Sequence, residues 1–574
     1  TSYAYPSLPL SFRNESGNDG YAYDVNVRAY ASSFPLASRS FDQKNDKLME
    51  LTAEYKAELS ENDNLTVLGG YSYQEVKNNG FEANNTLGDP SLNRLNLYNL
   101  FGYNNLGSYP GTVISPRSDY TGSYSNSYKL ISFFGRAVLN LKDKYNFTAT
   151  IRRDGSSKFG ANNKWGIFPS VAAGWTLSNE SFLQGNETLN YLKLRAGWGQ
   201  TGNSEGIGAY NSLLLYGLSS TTYYDPILQN YLRGLDVTQN SNPDLKWEVL
   251  SQINVGLDFE LFNGRLNGTI EVYDKTTNDM LYNYTVPLDG VNYFTPNILR
   301  NVGSMSNKGI EVSLGSDIIS NTEFRWNVRV IGSAYKNEIT QLSGDGLDAG
   351  IIYYNIFNAR GAFGLPASQL REGHPLGEFY LPAFRGYDET GAILLAAPGG
   401  GTTTDFASAE KSEHGVGLPR YTASLINNFT YNNFDLSFQL RGVFGNKILN
   451  NIRSILSLPN SILENNMLSS MNEVPENVST QNLSSQWLES GAFVRLDNWQ
   501  VGYNFSTQGV FQQARVYLGG NNLFIITKYK GIDPELDVSG SITDPGDQTP
   551  STIGVDALVY PKTRTFQLGV NLTF

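Results

Sequence analysis

Chemistry based on imidazole or thiol groups has few residues to use in this chain. The sequence contains two histidines, His374 and His414, and no cysteine. Thiolate metal sites, cysteine nucleophiles and disulfides are therefore excluded, and a histidine-based triad or zinc cluster would need one of these two residues. His414, in "SEHGVG", is expected to be a solvated loop residue, and the sequence has no Walker-type phosphate loop. The sequence predicts no enzymatic activity, catalytic residue, metal site or cofactor.

Two charged stretches on connections are candidates for ligand binding, but both have a simpler explanation as turns. "SGDGLDAG" (343–350) offers Asp345 and Asp348, yet it lacks the spacing and the distal Glu of an EF-hand calcium loop. In "RRDGSSKFG" (152–160), the two arginines beside Asp154 would organise a hairpin. We expect a polar turn in the first stretch and a framework role in the second.

Aromatic clusters in long connections are the best candidates for ligand contact. Flat aromatic rings can stack on sugar rings or hold peptide side chains, and loops are where binding residues concentrate. The alternatives are that the loops pack on themselves or contact a partner lid. The candidate substrate- or partner-contacting residues are Tyr223, Tyr224, Tyr293, Phe294, Tyr353, Tyr354 and Phe357.

The charge balance argues against a nucleic-acid partner. The chain has 42 Lys and Arg residues against 54 Asp and Glu residues, a formal net charge of −12, whereas phosphate binding requires a basic surface. Charged residues make up 17% of the chain, which is low for a soluble protein. No apolar run approaches the ~20 residues that a transmembrane helix needs. The chain is therefore either soluble or enters a membrane as strands.

Apolar and polar residues alternate with a period of two along most of the chain. In 245–261, Ile253 falls on one face of a strand and Asp258 on the other. We predict about fifteen strands, many longer than the ~5–6 residues of a typical globular strand. Strands of this length suit a tilted bilayer span, in which ~9–11 residues cross the core. Helical periodicity is weak, and one short helix is predicted near 461–472.

Short and long connections alternate along the chain, with intermediate ones at 154–164 and 178–190. Short turns are predicted at 60–64, 142–144, 262–264, 316–323, 432–433 and 506–513. Long connections are predicted at 75–128, 202–244, 278–300, 340–418, 447–491 and 526–562. An outer-membrane barrel separates loop lengths in this way, with short turns toward the periplasm. The alternative is a large soluble all-β protein, a tandem sandwich or propeller, which would need a turn every ~8–12 residues.

The last strand ends on an aromatic residue after a strictly alternating stretch. Thr565, Gln567, Asn571 and Thr573 lie on its polar face. Its apolar face would point at lipid, with the terminal aromatic ring at the periplasmic interface. This pattern is similar to the signal by which barrel proteins are recognised for membrane insertion. The predicted signal residues are Phe566, Leu568, Val570, Leu572 and Phe574.

Long stretches of the chain resemble the SusC-like (SusC/RagA family) TonB-dependent transporters of Bacteroidetes. The most specific is "YNFTATIRRDGSSKFGANNKWGIFPSVAAGWTLSNESFL" at 145–183. In the family order follow "LKLRAGWGQTGN" (192–203), "NPDLKWE" (242–248), "NVGSMSNKGIEVSL" (301–314), "GHPLGEFY" (373–380), "LPRYTASLINNFTY" (418–431), "FVRLDNWQVGYNF" (493–505), "LGGNNLFIITKYKGIDPEL" (518–536) and "YPKTRTFQLGVNLTF" (560–574). Because the "GHPLGEFY" segment is structural in the family, His374 is expected to be part of a turn framework.

The resemblance implies an all-β fold, a transmembrane antiparallel β-barrel that is 22-stranded in the family and holds a plug in its lumen. This sequence would supply the C-terminal part of the barrel, without the plug. Residues 1–47 would form an extracellular loop, and 48–574 would form strands with long extracellular loops. An odd count of fifteen strands agrees with a chain that is part of a longer protein, because single-chain bacterial barrels have an even number.

The resemblance also implies a function, namely active import of a nutrient, an oligosaccharide or a peptide, across the outer membrane. Its expected partners are a SusD-like surface lipoprotein, TonB acting through the plug, outer-membrane lipid, and a second copy in a dimer of transporter–lipoprotein pairs. One alternative is a structural barrel that anchors a surface complex. Another is a soluble carbohydrate-binding or hydrolytic β-protein.

Overall fold

Long antiparallel strands dominate the structure. The computed structural model describes residues 2–4, 36–86, 121–227, 229–344, 347–348, 350–357, 365–457, 474–478, 483–505, 511–536, 553–556 and 561–574. Fifteen long strands pair with neighbours, in agreement with the predicted count. They are β1 (Leu36–Ser60), β2 (Asp63–Thr86), β3 (Thr121–Leu141), β4 (Tyr145–Ser156), β5 (Trp165–Thr176), β6 (Leu189–Asn203), β7 (Glu248–Leu261), β8 (Leu266–Thr285), β9 (Asn297–Ser320), β10 (Phe324–Gln341), β11 (Tyr421–Tyr431), β12 (Phe434–Phe444), β13 (Phe493–Phe505), β14 (Gln513–Asn521) and β15 (Thr565–Thr573).

The first strand begins earlier than the sequence predicted. The predicted loop ends at residue 47, whereas β1 starts at Leu36. The segment 36–47 alternates less clearly than the rest of the strand, which is why the pattern placed the boundary later. Residues 5–35 lie outside the described residues, so the extracellular placement of 1–47 stays a prediction.

The chain divides into two compact units. The first comprises Thr1–Leu51, Tyr71–Ser132 and Gly155–Lys158. Within it, polar side chains tie neighbouring strands together. Gln74 donates to Asp46 at 2.9 Å, and the Tyr124 hydroxyl donates to Asp42 at 2.6 Å.

The second unit comprises Thr52–Gly70, Phe133–Asp154 and Phe159–Phe574. In it, β5 to β15 pair in chain order, each strand antiparallel to the next. The register places Val255 opposite Val272, and Val272 opposite Ile310. Rows of like side chains therefore run across the sheet, since directly opposed residues share a face.

The two faces of this sheet differ in chemistry. On one, Val255 and Val272 are 46% and 54% exposed. On the other, Arg195 donates to Asp258 at 2.7 Å and lies 3.5 Å from Glu271. A soluble sandwich would bury its apolar face against a second sheet. An exposed apolar face backed by a hydrogen-bonded polar face suits lipid on one side and an aqueous lumen on the other, which favours the barrel over the soluble alternative.

Connection lengths alternate as predicted in the second unit. Two to four residues connect β7 to β8 (262–265), β9 to β10 (321–323) and β11 to β12 (432–433). Long connections join β6 to β7, β8 to β9, β10 to β11, β12 to β13 and β14 to β15. Because consecutive strands are antiparallel, all the long connections of this sheet leave from the same end. The predicted turn at 506–513 lies partly outside the described residues.

Shorter elements occupy the connections and the start of the chain. The remaining strands are Ser2–Ala4, Leu215–Asp225, Asn230–Gln239, Ser343–Gly344, Leu347–Asp348, Ile352–Phe357, Leu365–Leu370, Glu378–Pro382, Phe384–Tyr387, Ile393–Ala396, Thr402–Thr403, Lys411–Val416, Lys447–Asn450, Leu488–Ser490, Ile525–Thr527 and Val555–Asp556. The helix α1 spans Asn451–Leu456, and 3-10 turns span Leu177–Asn179 and Ser485–Trp487. None of the helices among the described residues has the length and apolarity needed to cross a membrane. The helix predicted near 461–472 lies outside the described residues.

Two long connections fold together into what we call the loop platform, the described residues of 350–420 and 445–492. A four-stranded sheet of Ile352–Phe357, Leu365–Leu370, Glu378–Pro382 and Lys411–Val416 forms part of it. Its core is fully buried at several positions and contains Ala367, Phe379, Leu381, Leu449, Val474, Val478, Leu483 and Trp487. These connections therefore carry their own hydrophobic core.

The two charged stretches, 152–160 and 343–350, both form local contacts. Arg152 donates through Nε to Asp154 at 2.7 Å, and Arg153 stacks on Trp165. These contacts support the framework role expected for that stretch. In the other, Ser343–Gly344 pairs with Leu347–Asp348 in a small hairpin, and Asp345 lies outside the described residues.

Candidate functional site

An aromatic hairpin rises from the long connection between β6 and β7. It consists of Leu215–Asp225 and Asn230–Gln239. Tyr223 and Tyr224 are both exposed, and the Tyr224 ring meets the Tyr231 ring edge-on at 5.4 Å between centroids. The hairpin thus presents aromatic surface to its surroundings. Both rings are accessible to a ligand, and ligand contact by Tyr223 and Tyr224 stays a prediction.

A buried amide fastens this connection to the next one. Asn240, at the base of the hairpin, is 2% exposed. Its Nδ2 donates to the carbonyls of Thr295 (2.7 Å) and Asn297 (2.9 Å). Its Oδ1 accepts from the backbone N–H groups of Phe294 (2.8 Å) and Thr295 (3.2 Å). The hairpin base and the 286–296 loop, which carries Tyr293 and Phe294, are therefore held together.

The 286–296 loop is shaped by an aspartate. The Asp289 carboxylate accepts from the backbone N–H groups of Tyr293, Val291 and Asn292. The hydrogen bond from Tyr293, followed by that from Val291, holds the pKa of Asp289 well below its usual range. Tyr293 accepts through its hydroxyl from Arg300 at 3.1 Å, and Phe294 is exposed. Phe294 is thus open to a ligand, whereas the Tyr293 hydroxyl is already engaged.

Tyr353 and Tyr354 have opposite environments, which corrects the expectation for one of them. Tyr353 is 48% exposed, and its ring lies 5.7 Å from the Lys411 ammonium. Tyr354 is 2% exposed, its hydroxyl accepts from the Gly377 N–H at 2.9 Å, and burial raises its pKa. Tyr354 therefore supports the platform from inside, as adjacent strand residues point to opposite faces. The Phe357 side chain lies outside the described residues.

Both histidines belong to the loop platform. His414 is half-buried, donates to the Leu381 carbonyl at 3.1 Å, and has its pKa lowered by burial. It is thus packed rather than fully solvated. His374 Nδ1 donates to Glu378 at 3.0 Å, and its backbone carbonyl accepts from Ile339, which agrees with a turn framework. His374, Glu378 and Glu413 form a group that could hold a metal ion.

A charged cleft opens where β12, β13 and β14 reach their long connections. It encloses about 570 Å³ and is lined by Arg441, Arg495, Asp497, Asn521, Asn522, Pro561, Lys562 and Thr563. The cations are paired: Arg441 with Asp497 (2.6 Å), Arg495 with Asp533 (2.6 Å) and Lys562 with Glu535 (2.7 Å). Arg441 also lies 2.8 Å from Glu535. This pair and the Arg495–Asp533 pair hold the segment 531–536 to the sheet. The cleft can hydrogen-bond a polar ligand.

The predicted insertion strand has the alternation that the sequence indicated. In β15, Phe566, Leu568, Val570 and Leu572 are exposed along one face. The terminal Phe574 packs on Phe511 with 5.1 Å between ring centroids. Recognition of this strand during membrane insertion stays a prediction.

Sequence reasoning missed the Asn240 clamp and the charged cleft. Asn240 lies two residues before the "NPDLKWE" stretch, and Asp533 and Glu535, which pair with the cations of the cleft, lie in "LGGNNLFIITKYKGIDPEL". The resemblance marked these regions of the chain but not the contacts that they make. Those contacts join residues that are distant in the sequence, 55 positions apart for Asn240 and Thr295 and 38 for Arg495 and Asp533.

The family model described as "TonB dependent receptor-like, beta-barrel" matches residues 1–523. Among curated proteins, TonB-dependent receptor P3 of Formosa agariphila is 33% identical over 542 residues, which are 89% of this chain and 50% of that protein. TonB-dependent receptor SusC of Bacteroides thetaiotaomicron is 32% identical over 471 residues, 79% of this chain and 44% of that protein. The chain spans about half the length of the curated relatives it matches.

Solved structures show the same similarity. The RagAB peptide transporter superimposes with a TM-score of 0.74 at 27% identity, covering 94% of this chain and 57% of that chain. The RagAB peptide importer in its "open-open" state gives a TM-score of 0.74 at 27% identity, covering 94% and 56%. The fold, the motifs and the matched range agree. The chain belongs to the TonB-dependent receptor-like β-barrel family, as a SusC-like member whose long strands are strands of a transmembrane β-barrel.

Proposed function

We propose that the protein imports a nutrient, an oligosaccharide or a peptide, across the outer membrane. Membership in the SusC-like family is the observation that carries this proposal. The relatives named above include SusC. They also include RagAB, which is described as a peptide transporter. A SusD-like lipoprotein would cover the long loops, and TonB would supply energy through a plug outside this chain.

The long connections of the sheet support a role in ligand binding. Tyr223, Tyr224 and Phe294 are exposed on connections that Asn240 holds together. The polar face of the sheet, with Arg195, Asp258 and Glu271, would line the water-filled path. No bond is made or broken in this role. The chain would bind, orient and release the nutrient.

Uptake by whole cells tests the proposal. Cells that produce the protein should accumulate labelled oligosaccharides or labelled oligopeptides faster than a deletion strain, and a protonophore should remove the difference. Deleting the gene of a SusD-like lipoprotein from the same cells should lower uptake as well. Equal uptake of both ligand classes with and without the protein would contradict import and favour an anchoring barrel.

A pair of variants tests the aromatic hairpin. Tyr223→Ala combined with Tyr224→Ala should lower uptake while leaving the amount of protein in the outer membrane unchanged. Tyr431→Ala is the matched control, because Tyr431 is equally exposed but lies at the short-turn end of β11. An equal loss of uptake in the control would rule out a specific role for the hairpin.

A further inference from the structure

Two carboxylates of the loop platform lie beside His374. The imidazole Nδ1 donates to Glu378 at 3.0 Å. Glu413 comes from the neighbouring strand, since Lys411–Val416 pairs antiparallel with Glu378–Pro382. One ligand atom each from His374, Glu378 and Glu413 lies within 4.8 Å of the others. Three ligands from two paired strands and the preceding turn therefore face one point.

A buried amide beside this group lacks a partner for its oxygen. Gln369 is 0% exposed and donates through Nε2 to Glu378 Oε2 at 2.8 Å. Its Oε1 is buried and has no hydrogen-bond partner among the described residues. A buried carbonyl oxygen without a donor is unfavourable, because it has lost its hydrogen bonds to water. The same oxygen is a good partner for a cation or for a water bound to one.

One cation already lies at the group. Arg371 donates through NH2 to Glu413 at 2.9 Å and contacts the His374 ring. Its side chain is about one-third exposed. Glu378 is nearly buried, whereas Glu413 is 47% exposed. An ion could thus enter from the Glu413 side while Arg371 moves into solvent.

We propose that His374, Glu378 and Glu413 form a binding site for a divalent transition-metal ion of the Zn²⁺ class, in which the ion replaces Arg371. One imidazole nitrogen and two carboxylate oxygens suit Zn²⁺ and its neighbours, whereas Ca²⁺ and Mg²⁺ prefer all-oxygen sites. Gln369 orients Glu378 from behind. The bound ion would tie the strand Lys411–Val416 to the 371–377 turn. The 371–377 turn is also bound to β10, because the Ile339 N–H donates to the His374 carbonyl at 2.9 Å.

Zn²⁺ binding to the detergent-purified full-length protein tests this site. Because the chain has two histidines and no cysteine, two variants separate the possibilities within it. His374→Gln should lose one equivalent of bound Zn²⁺ in calorimetric titration, and His414→Gln should keep it. Glu413→Gln should also lose it, and this exposed position provides the test if His374→Gln fails to fold. Zn²⁺ binding that is unchanged in His374→Gln and Glu413→Gln would overturn the site.

A variant at Arg371 distinguishes a metal site from a cluster that is held only by ion pairs. If Arg371 competes with the metal, Arg371→Gln should bind Zn²⁺ more tightly than the wild type. If the cluster exists only as an ion pair, the wild type takes up no Zn²⁺ that depends on His374, and Arg371→Gln gains none. Nutrient uptake is not the readout, so this test stands or falls independently of the proposed function.

Discussion

Replacing Asn240 by Ala should free the loop that carries Tyr293 and Phe294. The Asn240 amide makes four hydrogen bonds to the backbone of this loop and of β9, at 2.7 to 3.2 Å. The substitution removes all four while leaving the aromatic residues unchanged. It therefore tests whether the position of these residues depends on a single buried side chain.

The hydrogen bonds of Asn240 set the expected size of the destabilisation in Asn240→Ala. Each hydrogen bond contributes ~0.5–1.5 kcal/mol net, and a buried group left without a partner costs ~1–3 kcal/mol. Water that fills the space of the lost amide would recover part of this. We expect a local destabilisation of about 2–4 kcal/mol. Since 1.4 kcal/mol corresponds to a factor of ten, backbone opening should rise by about 30-fold or more.

Hydrogen exchange measured by mass spectrometry on peptides covering 286–297 provides the assay. The matched control is Asn230→Ala, because Asn230 lies at the exposed hairpin tip and its side chain accepts from the Tyr231 N–H next to it. Exchange in 286–297 should accelerate in Asn240→Ala alone, while peptides from β11 and β12 stay protected. Identical exchange in the two variants would refute the view that Asn240 positions this loop.

Three further predictions concern other parts of the chain. Hydrogen bonds from Lys144, then Tyr145 and Trp175, lower the pKa of Glu180, in the β5–β6 turn, from 4.5 to about 2. Its contribution to stability is therefore present above about pH 4.5 and lost as the pH falls toward 2, so urea unfolding of wild type and Glu180→Gln should converge in acid. Tyr354→Phe leaves the Gly377 N–H without an acceptor and should cost the platform ~1–3 kcal/mol, measured by limited proteolysis, whereas Tyr353→Phe should change nothing. Leu568→Asp should lower the amount of heat-modifiable protein in outer membranes, whereas Gln567→Asn on the other face should not; equal assembly of the Leu568 variant would contradict a lipid-facing β15.

The strands could be predicted because each one separates two environments. Lipid on one side and water on the other impose a period of two, and Val255 and Asp258 carry this signal in the sequence itself. Turns were located for the same reason, since the alternation stops where the chain leaves the membrane. At the 432–433 turn, Asn432 adopts a positive φ of 49°, a conformation that asparagine tolerates well, so its residue type marks the turn. The start of β1 was misplaced because residues 36–47 follow the two-residue period less closely.

The contacts of the loops could not be predicted, because they depend on distant residues. Glu413 reaches His374 only because two short strands, Glu378–Pro382 and Lys411–Val416, pair with each other. No period in the sequence encodes that pairing. Tyr353 and Tyr354 are a different case. Neighbours in an extended segment point to opposite faces, so the sequence already implied that Tyr353 and Tyr354 have different environments.

The loop platform packs largely on its own core rather than on the strands that carry it. Phe379, Leu381 and Trp487 are fully buried in a core made only by residues of the long connections. The pairing of β10 with β11 continues beneath it from Phe324 to Ala334, with no residue of that core in its register. The platform does contact β10 at Ile339, which packs with Ile352, Tyr354 and Leu370. Substitutions in the platform core far from Ile339 need not disturb the strand pairing. Asn240 and the His374 group both lie in the long connections, outside the register that joins β10 to β11.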